Sequence, residues 1–111
     1  MVIREINSRE NYDEFLGMDK DALVVIKFGA AWCGPCRVLS GTLKSLDDNK
    51  INGALFGTVE IGEDDWSDGL ASELGIRNIP VLIYYKNGVE IKRTVGLSTA
   101  DAIYKAIEEL S

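Results

Sequence analysis

A chain of 111 residues with 12 Lys and Arg, 18 Asp and Glu, two Cys and no His is sized for one domain, residues 1–111, that buries about two thirds of its unfolded surface. The net charge of −6 opposes generic binding to nucleic acid or anionic membranes, both of which need a positive field. The missing His removes His triads, His bases and His metal ligands, and two Cys build neither a disulfide framework nor a four-Cys zinc site.

The N-terminus, Met1 to Asn7, carries charges every few positions and no apolar stretch suited to a signal peptide. No run approaches the roughly 20 apolar residues of a membrane span. The expectation is a cytoplasmic protein, where thiols are kept reduced and a Cys pair is chemical rather than structural. Val2 to Ile6 is expected as a short strand, and Ser8 as the cap of a helix over Arg9 to Met18 whose Tyr12, Phe15 and Leu16 recur at helical spacing. Leu23 to Phe28 is β-branched, almost continuously apolar and too short for a helix, which predicts a central strand buried on both faces. Lys27 interrupts it.

After Gly29-Ala30-Ala31-Trp32 comes Cys33-Gly34-Pro35-Cys36, and then Val38, Leu39, Thr42, Leu43 and Leu46 keep helical spacing out to Asp47, with Gly41 a weak point or kink in the middle. Ala54 to Ile61 predicts a third strand. Gly62 to Gly69 reads as an acidic turn entering a short helix through Leu70, Ala71 and Leu74, its acids suiting the helix dipole. Pro80 opens a strand over Val81 to Tyr85, Asn87-Gly88 marks a hairpin turn, and Glu90 to Val95 returns. Ser98-Thr99-Ala100-Asp101 starts a last helix with Ala102, Ile103, Ala106, Ile107 and Leu110 on one stripe. The order is β-α-β-α-β-α-β-β-α.

Cys33 and Cys36 form the one constellation with an evident chemical use. A sulfur at a helix N-terminus meets unpaired N–H groups and the positive end of the dipole, which favour the nucleophilic thiolate. A second sulfur one turn on is close enough to attack a mixed disulfide and release its substrate. Gly34 permits close approach of a partner chain, and Pro35 suits a first turn, where its missing N–H needs no partner. Two small buried apolar residues, or half of a zinc site completed by another chain, are the bland alternatives. The strand-turn-helix setting and the absence of other Cys or His ligands favour the redox pair.

The run Trp32-Cys33-Gly34-Pro35-Cys36 is identical to the active-site motif of thioredoxins, and the chain from Val2 to Leu110 resembles that family in length and order of elements. Gly75 to Pro80 resembles the segment that sets a cis-proline beside the disulfide, Lys86-Asn87-Gly88 the family's hairpin turn, and Val95-Gly96 the glycine of its substrate groove. The resemblance implies a thioredoxin fold, an α/β architecture with a five-stranded mixed sheet flanked by four helices. It also implies a dithiol reductant of client-protein disulfides that needs no cofactor and is recharged by a thioredoxin reductase fed by NADPH and flavin or by ferredoxin. Cys33 would be the exposed attacking sulfur and Cys36 the buried resolving one. Ile79 would offer backbone hydrogen bonds to an extended client, and Trp32 and Gly96 would border the groove. On residue type alone Pro80 would be a trans proline opening an edge strand; the resemblance implies cis.

The chain also departs from the pattern. The family's buried Asp six residues before the first Cys is here Lys27. Either a partly neutral amine takes over as base, or the protein does without one, or the side chain snorkels to the surface. The Lys that usually partners that Asp aligns with Thr58 or with Glu60; the second alignment would make Lys27–Glu60 an ion pair with its charges exchanged. Gly29 replaces a second Trp, which would open the groove or leave it less apolar. Gly41 replaces a kinking proline, and the acidic loop around Trp66 is a few residues longer, either facing a partner or packing one Trp under a solvated turn. A monomeric reductant is the leading expectation. A binding protein with an incidental dithiol is its rival, and an oxidant or isomerase is disfavoured by the Gly-Pro dipeptide and the lack of a signal peptide.

Overall fold

The computed structural model describes residues 1–111. Along the chain run β1 (Ile3–Glu5), α1 (Arg9–Leu16), β2 (Leu23–Gly29), α2 (Gly34–Lys44), a single 3-10 turn (Asp48–Lys50), β3 (Leu55–Glu60), α3 (Asp65–Glu73), β4 (Val81–Lys86), β5 (Val89–Val95) and α4 (Ala100–Leu110). The strands lie in the order β1-β3-β2-β4-β5. β3 runs parallel to both β1 and β2, whereas β4 is antiparallel to β2 and to β5. The parallel pairs are joined through helices, as such crossovers require, and the β4–β5 pair through a tight hairpin. Asn87 and Gly88 both take positive φ, 52° and 77°, the conformation whose twist matches a two-residue hairpin.

β2 is the central strand, and all seven of its residues are buried, which explains a run apolar on both faces. Successive side chains point to opposite faces. Val24, Ile26 and Phe28 join Tyr12 and Phe15 of α1 and Leu70 of α3. Leu23 and Val25 instead join Leu39 and Leu43 of α2 and Ile103 and Ile107 of α4. The same parity assigns Lys27 and Gly29 to the α2 side.

Helix boundaries follow local hydrogen bonding. Ser8 caps α1 by accepting from Asn11 N–H at 3.0 Å, and Thr99 caps α4 by accepting from Ala102 N–H at 3.1 Å. α1 stops at Leu16 rather than Met18, because the Gly17 N–H turns back onto the carbonyls of Asp13 and Glu14. α2 stops at Lys44 rather than Asp47: the Ser45 hydroxyl donates to the Thr42 carbonyl at 2.7 Å, and the chain bends so that Leu46 drops into the core. α2 runs as one helix through Gly41. Val38 and Ala102, expected on buried stripes, are exposed, so both stripes are narrower than their apolar residues suggest. No helix is long and apolar enough to cross a membrane.

Candidate active site

β2 ends at Gly29, and after three intervening residues the chain enters α2 with Cys33 as the N-cap. Cys33 and Cys36 are joined as a disulfide with their Cα atoms 5.2 Å apart, inside the range that bridged cysteines occupy. The Cys36 backbone N–H donates to Cys33 Sγ at 3.2 Å. One of the unpaired donors of the first helical turn thus points at this sulfur, where it stabilises negative charge. Pro35 removes another donor at a position that needs none. Upstream, Cys33 N–H donates to the Ala30 carbonyl and the Arg37 guanidinium to the Ala31 carbonyl at 2.9 Å, fixing the entry into the helix.

Cys33 is 6% exposed and Cys36 2%. The expectation of an exposed Cys33 is therefore not met in the disulfide form, in which both cysteines cluster with Ala30 and Ile79 packs against them. The surface beside them is formed by Trp32, which is 75% exposed. The Ile79–Pro80 peptide is cis. The Pro80 carbonyl accepts from Gly96 N–H at 2.7 Å, while neither the N–H nor the C=O of Ile79 enters any hydrogen bond. Gly96 has φ +92°, a backbone conformation that disfavours a side chain. Val95, the last residue of β5, and Leu97 are exposed on either side of it.

On the inner side, Lys27 is 5% exposed and its amine donates to Ser40 Oγ. It neither reaches the surface nor pairs with Glu60: no ion pair joins them, and the residue opposite Lys27 in the β2–β3 register is Thr58. Burial pulls the amine's pKa below its ordinary value, Glu60 opposing from a distance and Lys44 adding to the fall. Ser40 was not singled out in the sequence, although its spacing of four from Cys36 puts the two on one helix face. Gly29 does not border the groove either. A Cβ there would lie 3.1 Å from Cys36 Sγ, so the position is beneath the disulfide, and a side chain would push against it. Trp66 is half-buried against the α1/α3 side of the core, and its loop is tied by Asp68 accepting from Gly62 N–H at 2.7 Å.

The sequence model of the Thioredoxin family matches residues 4–109. The chain is 36% identical over 107 residues to thioredoxin of Chlamydia caviae, covering 96% of this chain and 98% of that protein. To thioredoxin-2 of Saccharomyces cerevisiae it is 33% identical over 106 residues, covering 96% of each. Among solved structures, Malassezia sympodialis thioredoxin superposes with a TM-score of 0.81 at 30% identity, over 97% of this chain and 90% of that one. Reduced Schistosoma mansoni thioredoxin gives 0.82 at 28% identity over 98% of both. Likeness that runs from the first strand to the last helix, in sequence and in fold, places this chain in the thioredoxin family, as a dithiol disulfide reductase working through Cys33 and Cys36.

Proposed function

We propose that Cys33 is the attacking sulfur and Cys36 the resolving one. The observation that carries the assignment is the Cys36 N–H directed at Cys33 Sγ: the helix N-terminus stabilises charge on the first sulfur, and no such donor serves the second. In the reduced protein the Cys33 thiolate attacks a client disulfide, forming a Cys33–client bond and expelling one client thiolate. Cys36 then gives up its proton and attacks Cys33. The Cys33–Cys36 bond forms, the client's second sulfur leaves with the electron pair and takes a proton, and two electrons have passed from the dithiol to the client.

The unpartnered N–H and C=O of Ile79 support a short strand-like pairing with an extended client segment, which gives affinity with little demand on sequence. Pro80 shapes that segment, and Trp32 and Gly96 border it. Membership of the family implies disulfide-containing clients and a reductase in general. The reading extends to a cytoplasmic monomer, free of nucleic acid and membrane, that carries electrons and maintains thiol redox balance; its support is the acidic net charge and the reducing setting in which such a dithiol is useful. Rates of reduction by an NADPH–flavin reductase and by a ferredoxin-linked one identify the upstream donor.

Insulin-disulfide reduction by the wild type and by Cys33→Ser tests the assignment. The expected result is turnover by the wild type and none by the variant. Turnover retained by Cys33→Ser would overturn it, and partner binding without turnover by either protein would favour the rival reading of a binding protein with an incidental dithiol.

A further inference from the structure

Lys27 and Gly29 stand two residues apart on the α2-facing side of β2, and together they shape the space behind Cys36. A Cβ at Gly29 would lie 3.1 Å from Cys36 Sγ and 3.7 Å from Lys27 Cε, so the sulfur and the last methylene of the lysine flank one empty point. The amine is held by Ser40 Oγ. Ser40 follows Cys36 by four residues, one turn along the same face of α2, so rotation about the terminal bonds of Lys27 carries its nitrogen from the hydroxyl toward the sulfur. Behind the amine lies an open cavity of about 230 Å³, walled by Ser40, Thr58, Glu60, Glu5 and Lys44. It is roomy enough for several waters, and Thr58 Oγ1 is buried with no hydrogen-bond partner.

Resting on the roles given above to the two sulfurs, we propose that Lys27 is a positioning residue for the resolving step: when the disulfide opens, its ammonium turns from Ser40 to Cys36 Sγ and holds that sulfur as a thiolate, with Gly29 keeping the path clear. The proton released by Cys36 leaves through the water-accessible cavity. The thiolate then forms the bond to Cys33, and the departing client sulfur takes a proton from solvent, so charge and protons balance over the step. The charged groups around the amine are Glu60 on β3, which favours its protonated form, Lys44 on α2, which opposes it, and Glu5 on β1, across the cavity. Burial and Lys44 lower the amine's pKa in the disulfide form; a neighbouring thiolate acts in the same direction as Glu60, so the amine keeps its proton where the thiol loses its own.

The test is the ionisation of Cys36, followed by the pH dependence of its alkylation in the reduced protein with both cysteines present, resolved by mass spectrometry. In Lys27→Met the Cys36 titration is expected to move up by a pH unit or more, a tenfold or greater loss of thiolate at pH below the transition. Lys27→Arg, which keeps the charge, is expected to restore most of it, and Gly29→Ala to give a smaller upward move by closing the path. Lys27→Gln serves the same purpose if the Met variant melts early. An unmoved or downward titration overturns the proposal, as does an Arg variant no better than Met, which would mean that a neutral amine or mere bulk is what matters. If instead a disulfide client is captured on Cys36 rather than Cys33, the underlying assignment of the sulfurs has failed; capture on Cys33 with an unmoved titration is the failure of the Lys27 proposal alone.

Discussion

Outward from the disulfide, Trp32 offers apolar surface and Ile79 its unpaired backbone groups, beside Pro80 and Gly96 joined to each other, with no charge among the four; inward, Lys27, Ser40, Thr58 and Glu60 set a cation and oxygen atoms behind the same two sulfurs. The outer side resembles what the family motif leads one to expect almost position by position, whereas the inner side replaces an expected acid with a base and an expected Trp with Gly29. The difference teaches which task tolerates change. Holding many clients requires a free strand-like edge and apolar contact, both generic. Managing charge on a buried sulfur has more than one electrostatic solution, and a single residue can change its sign.

The largest expected effect belongs to neither side alone. Cys33→Ser removes the nucleophile and should reduce disulfide turnover to background in an insulin assay, while Cys36→Ser should stop after one step with the client bonded to Cys33, visible as added mass. Next comes the packing that holds the inner side in place. Leu39 is fully buried on α2 between Cys36 and Leu43 in sequence and anchors that helix to β2, so Leu39→Ala is expected to cost about 2–5 kcal/mol in urea unfolding. A loss below about 1 kcal/mol would show that α2 is held chiefly by other contacts.

A third effect separates two groups on the α2-facing side by pH. Burial pushes the Tyr84 phenol up to about 12 from an ordinary 10.0. The unfolded chain therefore ionises first, and the stability Tyr84 contributes is fully present below pH 10 and lost as pH rises toward 12, by about 1.4 kcal/mol per pH unit at most. Tyr12 and Tyr85, hydrogen-bonded to each other at 2.7 Å on the opposite face, are raised by burial too and add to the same fall. Lys27 has the reverse sign. Its folded pKa lies below the ordinary 10.5, so the folded state sheds that proton first, and its contribution to stability rises with pH up to 10.5. Unfolding followed from pH 8 to 12 should show Tyr84→Phe flattening the fall and Lys27→Met removing the rise. The smallest effect is on the outer side: Trp32 is so exposed that Trp32→Ala should change stability by no more than about 0.5 kcal/mol, yet slow client reduction several-fold in the insulin assay. Equal losses of stability and rate would mean that the indole is structural.

Features governed by neighbours in sequence were legible before the structure: the buried run of β2, the Asn87-Gly88 turn, the Ser8 and Thr99 caps, and the spacing that lets Cys33 and Cys36 meet. Features governed by distant packing were not. Cys33 is buried in a small cluster with Ala30 and Cys36, against which Ile79, 46 positions later in the chain, packs. The Lys27 amine ends on Ser40 because the parity of β2 and the face of α2 happen to meet there, and Glu60 is left without an ion pair for the same reason. Leu46 belongs to the core though not to α2, so apolar spacing alone extends that helix three residues beyond its end at Lys44. Gly29 could be recognised as a missing side chain, but whether the gap opened outward to the groove or inward to Cys36 depended on strand parity.

In the proposed reaction Cys33 opens the client's disulfide and Cys36 closes the protein's own. Incubating reduced Cys36→Ser and reduced Cys33→Ser with the same disulfide-bonded client, then measuring the rate at which each acquires the client's mass, tests it most directly. Rapid capture by Cys33 in the Cys36→Ser protein and little by Cys36 in the Cys33→Ser protein is the expected result. Equal rates, or faster capture by Cys36, would contradict it.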